Sequence, residues 1–293
     1  MTKKREYKPW LSFTNQADTL FLEQLKSLVR DPQYSTEGHE VRTKWEDKTP
    51  AHTIYKNNIL MKYLPGDIPL ISFRPQAWKS AIKEVLWIYQ DQSNDLHLLK
   101  DKYGITWWDK WEVNGTRTIG HRYGHTVKRY GLIDKLIDGI KNSPMSRRHI
   151  IDLYQYEEFS ETEGLVPCAM ETIWTVRDNY LDMVLIQRSS DMCVALSINQ
   201  FQYYALLVMI AKATGYEVGE FSHMIANLHI YDRHMEGAEE MIQRAPEVYK
   251  VATEKIKLEF NPKSNDFYSF TIDDFKLVNY NPINRQIKFE LAE

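Results

Sequence analysis

Cys168 is the residue around which covalent chemistry could be organised. It follows Pro167 and stands where a loop runs into a predicted strand, a common place to present a nucleophile. A thiol works there only as the thiolate, which nearby cations or a helix N-terminus would favour. A free cysteine also serves as a small buried apolar residue, and Cys193, which lacks such a setting, reads that way. Arginines give the second signal. Arg188 closes a predicted hairpin in Gln187-Arg188-Ser189-Ser190-Asp191, and Arg147 and Arg148 are adjacent in Ser146-Arg147-Arg148. Guanidinium forks match phosphate oxygens bidentately and Ser189 adds a hydroxyl donor; an Arg-Arg pair is otherwise ordinary solvated surface. Glu84, with Ala81, Trp87 and Ile88 three and four residues away, sits among apolar neighbours on a helix. Such a carboxyl has a raised pKa and can relay protons, unless an arginine satisfies it. Asn227, His229 and Tyr231 share one face of a strand by period two, offering a cluster of donors and acceptors.

The elements that must position these groups follow from periodicity. Ala17 to Arg30 carries Leu20, Phe21, Leu25, Leu28 and Val29 at helical spacing and stops before Pro32. Ile54 to Tyr63 reads as extended, ended by Pro65-Gly66-Asp67. Gln76 to Gln90, opening after Pro75, is a largely buried helix, and Leu132 to Lys141 is a shorter amphipathic one. Ala169 to Val176 and Tyr180 to Gln187, joined by Arg177-Asp178-Asn179, form a β-hairpin. Gln200 to Thr214 is apolar nearly all round, a core helix with Gly215 as its C-cap. Met224 to Tyr231 is extended, and Lys255 to Phe260 and Gln286 to Leu291 show strand patterns. Strands and helices mix without a βαβ rhythm, so the fold class is α+β. With no repeat and no Gly/Ser/Pro-rich linker, 1–293 reads as a single domain, in which 1–33 is an N-terminal extension and helix.

Composition narrows the functions. The 293 residues are 43% hydrophobic, which argues against disorder, and carry a formal net charge of −3, which offers no field for nucleic acid or an anionic membrane. Two cysteines exclude a disulfide scaffold and a four-cysteine zinc site. The longest charge-free apolar stretch, Tyr203 to Ala211, is far shorter than the ~20 residues of a membrane span. No secretory signal is visible behind Met-Thr-Lys-Lys-Arg, so the expectation is a soluble, cytoplasmic protein. No dinucleotide, phosphate-loop or zincin motif is present.

Taken in order, the motifs resemble the folate-dependent thymidylate synthases. The matching segments are Arg42-Thr43, Ile82-Lys83-Glu84-Val85-Leu86-Trp87, Trp108-Asp109-Lys110-Trp111, Gly120 to Gly124 with Tyr123, and Ser146-Arg147-Arg148. Pro167-Cys168, Gln187-Arg188-Ser189-Ser190-Asp191, Asn199 and His229-Ile230-Tyr231 complete the series. The resemblance implies a mixed β-sheet with packed helices, dimerising through a sheet face. It also implies reductive methylation of dUMP to dTMP with 5,10-methylenetetrahydrofolate as one-carbon and hydride donor, without metal or flavin. By the same resemblance Arg42, Arg188 and Ser189 hold the nucleotide phosphate, joined by Arg147 and Arg148 from the other subunit of a homodimer. Cys168 attacks C6 of uracil, favoured as thiolate by the arginines. Asn199 reads N3–H and O4, His229 and Tyr231 hold the ribose, and Tyr123 assists loss of the C5 proton. Glu84 organises proton transfer near O4, while Trp108, Trp111 and Asp191 contact the folate.

The chain also departs from the commonest family pattern. It has Ala195 and Ser197 where Gly and Pro usually precede the asparagine, Ile225-Ala226-Asn227 in place of Gly-Gly-Asp, and Ala169 where a His often follows the nucleophile. It ends in Glu293 rather than an apolar residue, which would seal a folate site less well against water. The alternative reading is therefore a dUMP hydroxymethylase of the same superfamily, in which water rather than hydride adds to the C5 methylene. Asn199 suits uracil in both. From a different class comes a nucleotide- or RNA-binding regulator without turnover, against which the charge balance and the lack of an RNA module weigh. A thiol hydrolase has no histidine placed beside Cys168.

Overall fold

The computed structural model describes residues 13–292. Its first helix, α1 (Gln16–Arg30), turns Phe21, Leu22, Leu25 and Leu28 inward, the face its spacing predicts. The short β1 (Tyr34–Ser35) and long β2 (Thr53–Tyr63) follow, then α2 (Trp78–Val85). The helix expected over Gln76 to Gln90 changes pitch at residue 86. Leu86–Gln90 forms a π-turn in which the Asp91 amide bonds the Leu86 carbonyl, because Leu86, Trp87, Ile88 and Tyr89 are all buried and no single helical stripe accommodates them. Next come α3 (Leu96–Tyr103), α4 (Gly124–Tyr130) and α5 (Leu132–Asn142), the last matching its predicted span to within a residue.

The sheet continues with β3 (Ile150–Asp152), and α6 (Tyr156–Glu161) leads toward the loop that carries Cys168. The predicted hairpin is β4 (Ala169–Arg177) against β5 (Tyr180–Gln187), antiparallel, with Arg177 opposite Tyr180 and Asp178 at φ +55° in the turn. After β6 (Ser190–Asp191) the core helix α7 (Leu196–Thr214) begins four residues before the expected start and ends on Gly215 in the left-handed region. Strand β7 (Glu217–Tyr231) is longer than the predicted Met224 to Tyr231, because buried Ser222 and His223 interrupt the apolar pattern without interrupting the pairing. Helices α8 (Met235–Gln243) and α9 (Ala245–Val251) precede β8 (Lys257–Phe260), which pairs with an unanticipated β9 (Phe275–Val278).

The main sheet runs β1-β2-β7-β5-β4-β3, with β6 beside β7. Its neighbours are antiparallel except β5 and β6, which lie parallel to β7. Period two divides its faces. Leu181, Met183 and Leu185 point into the core under α7, while Val184 and Ile186 point the other way, Ile186 in register with exposed Met224 and, across β7, Leu60. The mixture of elements is the α+β class expected.

One sequence expectation fails. Gln286 to Leu291 is not a strand but an extended strap without ladder partners. Its alternation reports one-sided burial: Ile287 and Phe289 press on Gly237 of α8, where a Cβ would meet the Phe289 ring at 2.5 Å. Glu293, whose charge motivated the hydroxymethylase alternative, lies outside the described residues, as do the first twelve. Among the described residues no helix is long and apolar enough to cross a membrane.

Candidate active site

A cleft of about 1080 Å³ opens between the inner end of the sheet, the α2 π-turn and α7. Almost every residue singled out in the sequence lines it: Arg42, Glu84, Trp108, Trp111, Tyr123, Cys168, Arg188, Ser189, Asp191, Asn199, His229 and Tyr231. Arg147 and Arg148 do not. They are exposed on the α5–β3 connection, with the Ser146 hydroxyl accepting from the Arg148 amide.

Cys168 immediately precedes β4, and its carbonyl accepts from the Arg188 amide, so hairpin register sets the nucleophile beside the arginine. Arg188 donates through Nε to the Pro167 carbonyl (2.9 Å) and through Nη2 to the Val166 carbonyl (2.8 Å) and Cys168 Sγ (3.4 Å). The guanidinium is thus tied to the nucleophile loop, leaving Nη1 as its uncommitted nitrogen. Arg188 and Arg42 act on the thiol in the expected direction, but burial acts against them. Burial raises the Cys168 pKa above the usual thiol value, and Arg188 and Arg42 only partly offset it. Arg188, at hydrogen-bond distance from Sγ, is the nearer source of charge that opposes this burial.

Tyr123 stands opposite. Its hydroxyl accepts from the Cys168 amide at 3.3 Å, and burial holds its pKa far above the ordinary tyrosine range, so it is a phenol, not a phenolate. Its backbone lies at φ +50°, ψ −107°, a conformation that a non-glycine residue adopts only when its surroundings enforce it. The enforcement is visible one residue on: a Cβ on Gly124 would stand 2.0 Å from the Ser93 carbonyl oxygen, so only glycine lets the two backbones meet.

Glu84 behaves as its neighbours predict. Burial pushes its pKa up to about 7, opposed by the polar groups of the neighbouring Gln202 and Trp107. Its partners are these neutral groups rather than an arginine; the Trp107 indole N–H donates to its Oε2. Across α7, Asn199 Oδ1 accepts from Gln187 Nε2 at 3.1 Å and its Nδ2 donates to Gln202 Oε1 at 3.0 Å. His229 pairs through Nδ1 with Asn227 Oδ1 at 3.0 Å, and burial lowers its pKa. The ring of Tyr231 packs edge-on against His229, 5.0 Å between centroids.

Asp191 caps the turn into α7, its Oδ1 accepting from the amides of Cys193 (2.8 Å) and Val194 (3.1 Å). Burial alone would raise its pKa, but the hydrogen bond and charge of His234, with help from His229, hold it below the usual value. Asp191, Cys193 and His234 bring three ligand-type atoms within 4.8 Å of one another. The Asp191 carboxylate is already committed to the two amides and, at 3.5 Å, to His234 Nδ1. Above it Trp108 packs edge-on against Trp111 (5.5 Å) and Tyr123 (5.3 Å), and Leu291 and Ala292 of the strap reach the same cleft. An ionised acceptor beneath an aromatic and aliphatic wall fits a planar heteroaromatic ring bearing N–H donors, and the cleft has room for it beside a nucleotide.

Sequence reasoning missed Trp107, Gln187, Gln202 and His234 as members of this network. Gln202 lay one helical turn beyond Asn199 and Trp107 beside Trp108, so adjacency could have found those two. The position of His234 depends on the path of the strap, whose Glu290 carbonyl pairs with His234 Nε2 at 2.8 Å.

Comparison with known proteins agrees with this geometry. The family model described as "Thymidylate synthase" matches residues 30–293. A thymidylate synthase of Streptococcus pneumoniae is 44% identical over 284 residues, covering 94% of this chain and 99% of the relative. One from Streptococcus sanguinis is 45% identical over 283 residues, with the same coverage. The solved structure of thermostable thymidylate synthase A from Bacillus subtilis superposes with a TM-score of 0.86 at 37% identity, over 94% of this chain and 99% of that one. Likeness of this extent, over the same residues that build the cleft, settles the relationship: the chain belongs to the thymidylate synthase family of methyltransferases.

Proposed function

We propose that the cleft methylates dUMP to dTMP reductively, with 5,10-methylenetetrahydrofolate as co-substrate. The carrying observation is Cys168 Sγ held 3.4 Å from the Arg188 guanidinium in a cleft that also holds the Asn199 amide and the tryptophan wall. Arg42, Ser189 and Nη1 of Arg188 take the phosphate, and His229 and Tyr231 the ribose, all of them lining the same cleft. Cys168 gives up its proton to solvent and adds as the thiolate to C6 of uracil, Arg188 stabilising the sulfur charge, while the C5–C6 electron pair moves toward C5 and O4. Glu84, poised near neutrality, holds the proton that serves O4. Tyr123 assists departure of the C5 proton as a neutral phenol. Trp108, Trp111 and Asp191 hold the reduced folate, which when bound supplies the one-carbon unit and the hydride.

A homodimer belongs to the same proposal. The sheet face away from α7 exposes Leu60, Met224 and Ile150, with Val184, Ile186 and Ile173 half-buried between them. Such a stripe suits a second copy of the same sheet. Arg147 and Arg148 are exposed just before Ile150, and on this reading they reach into the partner's cleft. Gel filtration should then give about twice the 34.7 kDa chain mass; a species of that mass alone contradicts the dimer. For the chemistry, Cys168→Ala should abolish dTMP formation while dUMP binding remains measurable. A fully active alanine variant refutes the mechanism.

A further inference from the structure

His223 is wholly buried on β7, 0% exposed, and neither composition nor motif singled it out. Its Nε2 lies 2.9 Å from Gln187 Oε1, and its Nδ1 has no hydrogen-bond partner among the described residues. Gln187 Nε2 contacts two acceptors, the Ser189 carbonyl (2.9 Å) and Asn199 Oδ1 (3.1 Å). A backbone carbonyl can only accept, so the Gln187 atom facing Ser189 must be the NH₂. Its oxygen therefore faces His223, and His223 Nε2 must carry a proton to meet it. Burial keeps this imidazole neutral, lowering its pKa to about 3, which leaves Nε2–H as its one donor.

The direction then propagates. Asn199 receives a donor at Oδ1, so its Nδ2 is the atom that donates to Gln202 Oε1. A side-chain amide has two lone pairs and two N–H donors. Gln187 uses one lone pair of Asn199 and Gln202 one N–H, leaving one acceptor and one donor. That remainder complements uracil N3–H and O4. A flipped Asn199 amide would instead complement cytosine N3 and its amino group, and would set oxygen against Gln202 oxygen and nitrogen against Gln187 nitrogen.

We propose that His223 is a specificity-positioning residue: its Nε2–H, through Gln187, locks the Asn199 amide in the orientation that reads uracil and rejects cytosine. The inference rests on the proposed dUMP site and adds to it the origin of base selectivity. His223 touches neither substrate nor reacting atoms. Its loss leaves Gln187 held by the Ser189 carbonyl alone, and should relax discrimination rather than remove chemistry, because a Gln187 clamped at one end lets Asn199 sample both orientations.

The test measures dissociation constants of dUMP and dCMP for the parent, His223→Leu and His223→Gln, with folding checked by thermal denaturation. His223→Gln keeps an N–H donor within reach of Gln187; His223→Leu has none. The dUMP preference should fall at least about tenfold in His223→Leu and stay within about threefold of the parent in His223→Gln. A merely structural role would weaken both nucleotides alike and leave the ratio unchanged, which would overturn the proposal. An equal collapse of the ratio in both variants would also overturn it, since the donor would then be irrelevant. If His223→Leu does not fold, Gln187→Met breaks the same link and is held to the same ratio. A parent protein that fails to prefer dUMP refutes the site reading itself, a result separable from failure of the lock.

Discussion

Replacing Arg188 by methionine removes a cation in hydrogen-bond contact with Cys168 Sγ, at 3.4 Å. Two unit charges 4 Å apart near a protein surface interact by about 4 kcal/mol at an effective dielectric of about 20. Water entering the vacated space offsets about half of this, while Arg42, which also favours the thiolate, contributes alike in parent and variant. The net loss of about 2 kcal/mol lowers the thiolate population at fixed pH about thirtyfold. Since burial already holds this thiol above its usual pKa, nothing else replaces the lost stabilisation. The assay is the second-order rate of alkylation by iodoacetamide at pH 7.5, mapped to Cys168 by mass spectrometry. Cys193, 2% exposed, serves as the unreactive internal reference. Arg188→Lys keeps the charge but not the fork that holds Val166 and Pro167, and should lie between parent and Arg188→Met. Equal or faster alkylation in Arg188→Met would refute the electrostatic reasoning, leaving Arg188 only a clamp on the loop.

Further predictions follow from the same geometry. Glu84 keeps its proton in the folded chain to about pH 7, whereas the unfolded carboxyl ionises near 4.5, so the folded state binds more protons between these values and stability falls as pH rises through that window, by about 3 kcal/mol in all. Glu84→Gln should therefore raise Tm at pH 8 and barely change it at pH 5, while lowering kcat at both. Asp18 is raised to about 7 by burial in the same way but lies outside the cleft; Asp18→Asn should show the same pH-dependent gain in Tm with kcat unchanged. Gly124→Ala forces a Cβ into the Ser93 backbone and should cost about 3 kcal/mol in denaturant unfolding. Arg147→Ala with Arg148→Ala, though both residues lie outside their own cleft, should raise the KM for dUMP at least about tenfold; an unchanged KM would remove the pair from the site.

What the sequence reveals here depends on whether a signal is local. The core helix ending at Gly215 and the β4–β5 hairpin were legible because their patterns are carried by consecutive residues. Glu84 was legible for the same reason: its helical neighbours are apolar and its pKa is raised accordingly. The π-turn at Leu86–Gln90 was not, because burial on all sides erases the stripe that would mark a change of pitch. Ile287, Phe289 and Leu291 mimicked a strand, since alternation records which side is buried and not whether a ladder forms. At the site, motif order brought most residues into one cleft, but the direction of the hydrogen bonds was hidden. It is set by His223 and by the Ser189 carbonyl, contacts between elements far apart in sequence.

The central claim is tested most directly by incubating the protein anaerobically with dUMP and 5,10-methylenetetrahydrofolate, following dihydrofolate by absorbance and weighing the nucleotide by mass spectrometry. Equal amounts of dTMP and dihydrofolate are the predicted result. Hydroxymethyl-dUMP with tetrahydrofolate, or no nucleotide product at all, would contradict it.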